Sequence, residues 1–101
     1  MEAEWEVVKV KKARFMLERV GQTYRGHITG VSRHGVFVEL EEMFVEGFVP
    51  LRALPRDQYR FDESRHALIG SHSHRYQLAD PLTIVVESVD LDRRRVNFIL
   101  A

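Results

Sequence analysis

The spacing of apolar positions along the chain changes once, near Gly21. Before that point, residues 2 to about 19 contain no Gly or Pro. On a wheel turned by about 100° per residue, Trp5, Val10, Ala13, Met16, Leu17 and Val20 fall on one side. Glu4, Lys11, Arg14 and Glu18 fall on the other, while Glu6 and Lys9 interrupt the stripe. The pattern predicts a helix stopped at Gly21, and a short helix carrying Trp5 persists only if its apolar side packs on something.

After Gly21 the period becomes two. Val36, Val38 and Leu40 alternate with Phe37 and Glu39, and Val49 and Leu51 alternate with Phe48 and Pro50. Leu82, Ile84 and Val86 alternate with Thr83, Val85 and Glu87; Val96, Phe98 and Leu100 alternate with Arg95, Asn97 and Ile99. The first set of each group is expected to face a core. Tyr24 to Val31 adds a strand whose glycines, 26 and 30, mark bends or bulges. Gly35 and Gly47 stand where turns are needed, and Asp90 to Arg94 is a polar turn. Strands are therefore expected at about 22–32, 35–41, 47–51, 81–91 and 94–100. The stretch 52–80 is too long to be structureless in a compact domain, so short helical turns are expected near 52–57 and extended pieces near 66–70 and 74–78. The pattern alone specifies a small all-β barrel or sandwich. The long third-to-fourth connection suits a partly open, five-stranded Greek-key barrel with an N-terminal α-helix and an extended insert.

Composition narrows the chemistry. A chain of 101 residues fits one domain, with enough length to bury a core unaided. It has no cysteine, which excludes disulfides and cysteine-bound metals and suits a reducing compartment. No apolar run approaches the ~20 residues of a membrane helix, and the acidic Met1-Glu2-Ala3-Glu4 is unlike a secretory signal. The expectation is a soluble, cytoplasmic chain. Fifteen basic residues balance fifteen acidic ones, which by itself argues against a nucleic-acid binder. The distribution matters more. Glu39, Glu41, Glu42 and Glu46 form an acidic stretch, Arg93, Arg94 and Arg95 a basic run, and twelve of the fifteen cations are Arg. Arg offers a planar fork that grips phosphate and stacks on bases.

A single-strand binder needs exposed aromatics for bases and cations to follow the phosphates. Strand alternation turns Phe37 outward, and His34 just before it can also stack. Arg25, Arg33 and Arg95 are the nearby basic candidates. Phe37 could instead pack beneath the 52–80 connection, and His34 could be a simple turn residue. His66, His72 and His74 lack the converging ligands of a zinc site and read as loop histidines. The serines lack a nucleophile elbow, and there is no Gly-rich phosphate loop. The competing class is a protein-interaction module that docks a partner through the helix or the acidic stretch. Exposure of Phe37 beside Arg separates the two.

The ordered set Gly21-x-x-Tyr24-x-Gly26-x-Ile28-x-x-Val31, Gly35-Val36-Phe37-Val38-Glu39-Leu40, Glu46-Gly47-Phe48-Val49-Pro50-Leu51, Leu82-x-Ile84-x-Val86-x-x-Val89-Asp90 and Arg95-Val96 resembles the S1 RNA-binding domain of the oligonucleotide-binding (OB) fold group. The insert, with Asp57-Gln58-Tyr59-x-Phe61-Asp62-Glu63, Leu68-x-Gly70 and Arg75-Tyr76-x-Leu78, is similar to that of the S1 domain closing bacterial ribonuclease R, a processive 3′-to-5′ exoribonuclease of the ribonuclease II family. The resemblance implies an OB-type barrel over 21–101 that binds single-stranded RNA. It also implies that residues 1–20 are the tail end of a catalytic domain absent from this chain, against which their apolar face would pack in cis. Magnesium, held by aspartates in that catalytic domain, is the implied cofactor of the parent enzyme; none is implied for this chain, which is not expected to cut RNA. By position, the resemblance assigns RNA contact to His34 and Phe37 and to the pair Asp90 and Arg95. Pro50 stands where a contacting His is usual, with Phe48 as the candidate substitute. Ala79-Asp80 replaces a usual Gly-Asp.

Overall fold

A computed structural model describes residues 14–101. Of the expected helix, Trp5, Val10 and the rest of 2–13 lie outside the described residues. Its end is helical over 14–17 and turns through 18–21, with Gly21 at φ +90° as the stop. The expected apolar stripe is only partly right here. Met16 is wholly buried, but Leu17 and Val20 are exposed, as is Phe15. The chain has left helical geometry by residue 18, so the wheel no longer describes where Val20 points.

Five strands form a closed barrel in the order β1-β2-β3-β8-β7. They are β1 (Thr23–Ser32), β2 (Gly35–Leu40), β3 (Glu46–Pro50), β7 (Pro81–Asp90) and β8 (Arg95–Leu100). All neighbours are antiparallel except β3 and β8, which meet at Phe48 and Asn97. The alternation read from the sequence is the cause: Val36, Val38, Val49, Ile84, Val86 and Phe98 point inward and are buried. Leu51, expected on the third strand, instead opens a short 3-10 turn, Leu51–Ala53. Gly47, expected at a turn, lies inside β3. A Cβ there would come within 2.5 Å of Cζ of Phe98, so the missing side chain makes room for the largest ring of the core. Gly35, by contrast, serves conformation. It opens β2 at φ +152°, which other residues rarely adopt.

The insert is more ordered than its sequence suggested. Strands β4 (Tyr59–Asp62), β5 (Ala67–Gly70) and β6 (Arg75–Gln77) form a second antiparallel sheet in that order, and β4 was not among the expected extended pieces. Leu68 and Ala67 are buried, and Tyr59, Phe61 and Tyr76 pack against the core. The sheet covers the edge of β1 where β1 parts from β7 after His27. Two backbone hydrogen bonds tie it there, from Ile28 N–H to the Asp80 carbonyl (2.9 Å) and from Ala79 N–H to the Ile28 carbonyl (2.8 Å). Ala79 holds φ +72°, so the turn that a glycine would suit is kept by an alanine at a cost of about 1–2 kcal/mol.

Asp57 anchors this insert. Its carboxylate accepts from Gln58 N–H (2.7 Å), Ser71 Oγ (3.0 Å) and Nδ1 of His72 (3.0 Å) on one oxygen, and from His72 N–H (3.0 Å) and Nδ1 of His74 (2.9 Å) on the other. His72 and His74, read from the sequence as free loop histidines, are thus bound to a carboxylate more than a dozen residues away. Burial alone would raise the pKa of Asp57. The hydrogen bonds from His74, His72 and the backbone outweigh it and hold the carboxyl well below its ordinary 3.8. A depressed carboxylate stabilises the fold above its unfolded value and loses that contribution as pH falls through the folded one. Amide-exchange protection of residues 70–74 is therefore expected to be flat above about pH 4 and to fall below it, and in Asp57→Asn to lose this acid dependence. Protection that ignores pH in the wild type would refute this anchor. No helix among the described residues is long and apolar enough to cross a membrane.

Candidate nucleic-acid interface

The strand registers assemble one row of outward residues across the barrel. Gly30 of β1 pairs with Phe37 of β2, Phe37 with Phe48 of β3, Phe48 with Asn97 of β8, and Asn97 with Ser88 of β7. At its centre the Phe37 and Phe48 rings lie 5.0 Å apart at 54°, a favourable tilted arrangement. Phe37 is 36% exposed, although its strand neighbours Val36 and Val38 are wholly buried. It does not pack beneath the insert sheet as the alternative reading had it. Its ring lies over Gly30, where a Cβ would stand 3.2 Å from Cδ2, and Phe48 leans over Gly35, with Cζ 2.8 Å from where a Cβ would be. Two glycines thus let two aromatic rings approach the barrel wall closely. Phe48 is half-buried, and Pro50, paired with Gly35, ends the strand beside it without a hydrogen-bonding side chain.

His34 and Arg33 form the exposed β1–β2 turn at one end of this face. The His34 backbone is clamped: its N–H donates to Ser32 Oγ (3.2 Å) and its carbonyl accepts from Leu51 N–H (3.0 Å), leaving the imidazole outside. Arg95 opens β8 at the other end, two residues before Asn97, exposed and opposite Asp90 in the ladder. Asp90 turns its carboxylate the other way, accepting from Arg93 N–H (3.1 Å) with the Arg93 guanidinium at 3.9 Å. It orders the β7–β8 turn, and Arg95 has no carboxylate partner among the described residues. Arg25 is not brought to this face. It pairs with Thr83 and lies five residues from Gly30 along β1, roughly 16 Å away.

The acidic stretch also finds its place. Glu39 and Glu46 face each other across β2 and β3, one step beyond the aromatic pair, and the parallel register brings Glu46 level with Arg95. Thr29 Oγ1 donates to Glu46 at 2.7 Å. Glu39 and Glu46, directly opposite each other, repel one another and make that corner unfavourable for a polyanion except where Arg95 offsets their charge. A diagonal of cations and rings thus runs from Arg33 and His34 over Phe37, Phe48 and Asn97 to Arg95. Sequence reading missed Asn97 and Ser88. Period-two alternation puts Asn97 outside, but only the β3–β8 pairing sets it beside Phe48.

Comparison with known proteins places the barrel in a family. A family model described as the S1 RNA binding domain matches residues 18–100. Ribonuclease R of Aquifex aeolicus is 44% identical over 98 residues, covering 96% of this chain, and that of Escherichia coli is 38% identical over 100 residues, covering 98%. The chain spans only 14% and 12% of those relatives' lengths. Among solved structures, Mycoplasma genitalium RNase R superposes with a TM-score of 0.91 at 20% identity over 99% of this chain and 16% of that one, both in its apo form and in complex with ribose methylated single-stranded RNA. The barrel order, the insert and the family match over more than four-fifths of the sequence lead to one assignment: the chain belongs to the S1 RNA binding domain family.

Proposed function

We propose that this chain binds single-stranded RNA across the Phe37–Phe48 face and does so as the RNA-binding domain of a ribonuclease-R-like 3′-to-5′ exoribonuclease. The observation that carries the reading is the exposed, tilted aromatic pair set between cations at both ends of the barrel wall. Bases stack on Phe37 and Phe48, His34 extends the platform, and Arg33 and Arg95 follow the phosphates. Stacking accepts every base, so binding tolerates sequence. Asp90 acts through the turn it orders, and Arg25 contributes only to the general field.

In this reading residues 21–101 hold RNA and feed its 3′ end to a catalytic domain that lies outside this chain and binds magnesium through its own aspartates. Residues 1–20 belong to the end of that domain. The exposed apolar side chains of Phe15, Leu17 and Val20 support a contact with it in cis. The cysteine-free composition suits a cytoplasmic setting.

The test is a fluorescence-anisotropy titration of labelled single-stranded RNA at several salt concentrations. Affinity is expected to fall with salt, with a log–log slope near −0.7 per phosphate neutralised. Arg95→Ala should make that slope shallower by about 0.7. Absence of binding at low salt would overturn the reading, and an unchanged slope in the variant would remove Arg95 from the phosphate path.

A further inference from the structure

The RNA path proposed above crosses a position that neither stacks nor carries charge. Asn97 stands in register with Phe48 on the neighbouring strand and two residues from Arg95 on its own strand. A strand of RNA reaching from the Phe48 ring to the Arg95 guanidinium passes beside its carboxamide.

That carboxamide is held in place. Its Nδ2 donates to Ser88 Oγ at 3.1 Å. Ser88 itself is placed by a bulge: β7 shifts register between Val86 and Ser88, so that Val86 faces Phe98 while Ser88, two residues on, faces Asn97. Bulges re-aim side chains next to functional sites. An amide has two N–H donors and an acceptor oxygen with two lone pairs. Ser88 uses one N–H. The other N–H and the oxygen, which share one planar group, remain for a ligand, and no other hydrogen bond to this side chain exists among the described residues. A neighbouring donor and acceptor on one planar group match the donor–acceptor edge that every nucleobase presents, as in the bidentate pairing of Asn with adenine.

We propose that Asn97, oriented by Ser88, is a base-edge subsite: it hydrogen-bonds the nucleobase next to the one stacked on Phe48. It supplies by hydrogen bonding a contact that Pro50, lacking a polar side chain, does not make. The proposal rests on the RNA-binding reading above and adds to it a subsite that reads base edges and not phosphate or ring face. Adaptable pairing of this kind keeps the domain tolerant of sequence but makes it sensitive to the loss of a base.

The experiment titrates the 101-residue chain with labelled oligocytidylate RNA and with the same strand carrying abasic riboses. Asn97→Ala is expected to weaken binding of the base-bearing strand about three- to tenfold, with no further loss on the abasic strand. Ser88→Ala should give a smaller loss in the same sense, because the amide is then less well held. Unfolding midpoints equal to wild type show that the variants retain the barrel. If Asn97→Ala binds both strands as wild type does, or loses the same factor on both, the base-edge subsite is wrong while RNA binding stands. If the wild-type chain binds neither strand, both readings fall.

Discussion

Phe37→Ala is expected to weaken single-stranded RNA binding at least tenfold while leaving the barrel folded, with an unfolding midpoint lowered less than in a core variant. Stacking on an aromatic side chain contributes about 1–3 kcal/mol per base, and Phe37 is the more exposed of the two rings. Its removal should cost less stability than loss of a core ring, because the wall beneath it is the Gly30 backbone and the core is filled by Val36 and Val38. Phe48→Ala should affect binding and folding together, since that ring is half-buried over Gly35. The two rings touch, so their effects should not add. Anisotropy titration and urea unfolding of the same preparations separate the two quantities. Full RNA affinity in a folded Phe37→Ala variant would exclude stacking at this site.

Phe98→Ala should have the opposite signature, costing about 3–5 kcal/mol of stability. The ring is wholly buried, and Gly47 has given up its side chain to admit it. Alanine at 98 leaves a cavity that a closed barrel cannot collapse, because the strands on either side are fixed by their ladders. Small domains are stable by only about 5–15 kcal/mol, so the loss is a large part of the total. It should appear in urea as a lower midpoint with an unchanged slope. A change below about 1 kcal/mol would show that the barrel is not built around this ring.

These two phenylalanines also show what could be read without coordinates. Both sit in strands of strict alternation, and counting by twos places Phe98 inside and Phe37 outside. Alternation is local, so it survives in the sequence. The insert was less legible. Its three strands are three or four residues long, too short for period two to stand out, and Tyr59–Asp62 passed for a connection. Asp57 and its two histidines were invisible for another reason. They are far apart in sequence, and only the β4–β5–β6 pairing folds residues 70–74 back over residue 57.

The candidate site divides in the same way. Alternation, glycine placement and residue type were enough to single out Phe37, His34 and Arg95, and the ordered motifs were enough for the family, whose resemblance added Phe48. Which of these residues share one face was decided by strand register, a sum of hydrogen bonds and side-chain packing across neighbours that are distant in the chain. Register set Arg25 apart, put Glu46 level with Arg95 and brought Asn97 beside Phe48. The sequence by itself determined which side chains look out of the barrel, because that depends on a two-residue repeat. Only the tertiary structure decided which of them are neighbours, because that depends on how strands far apart in the chain are paired.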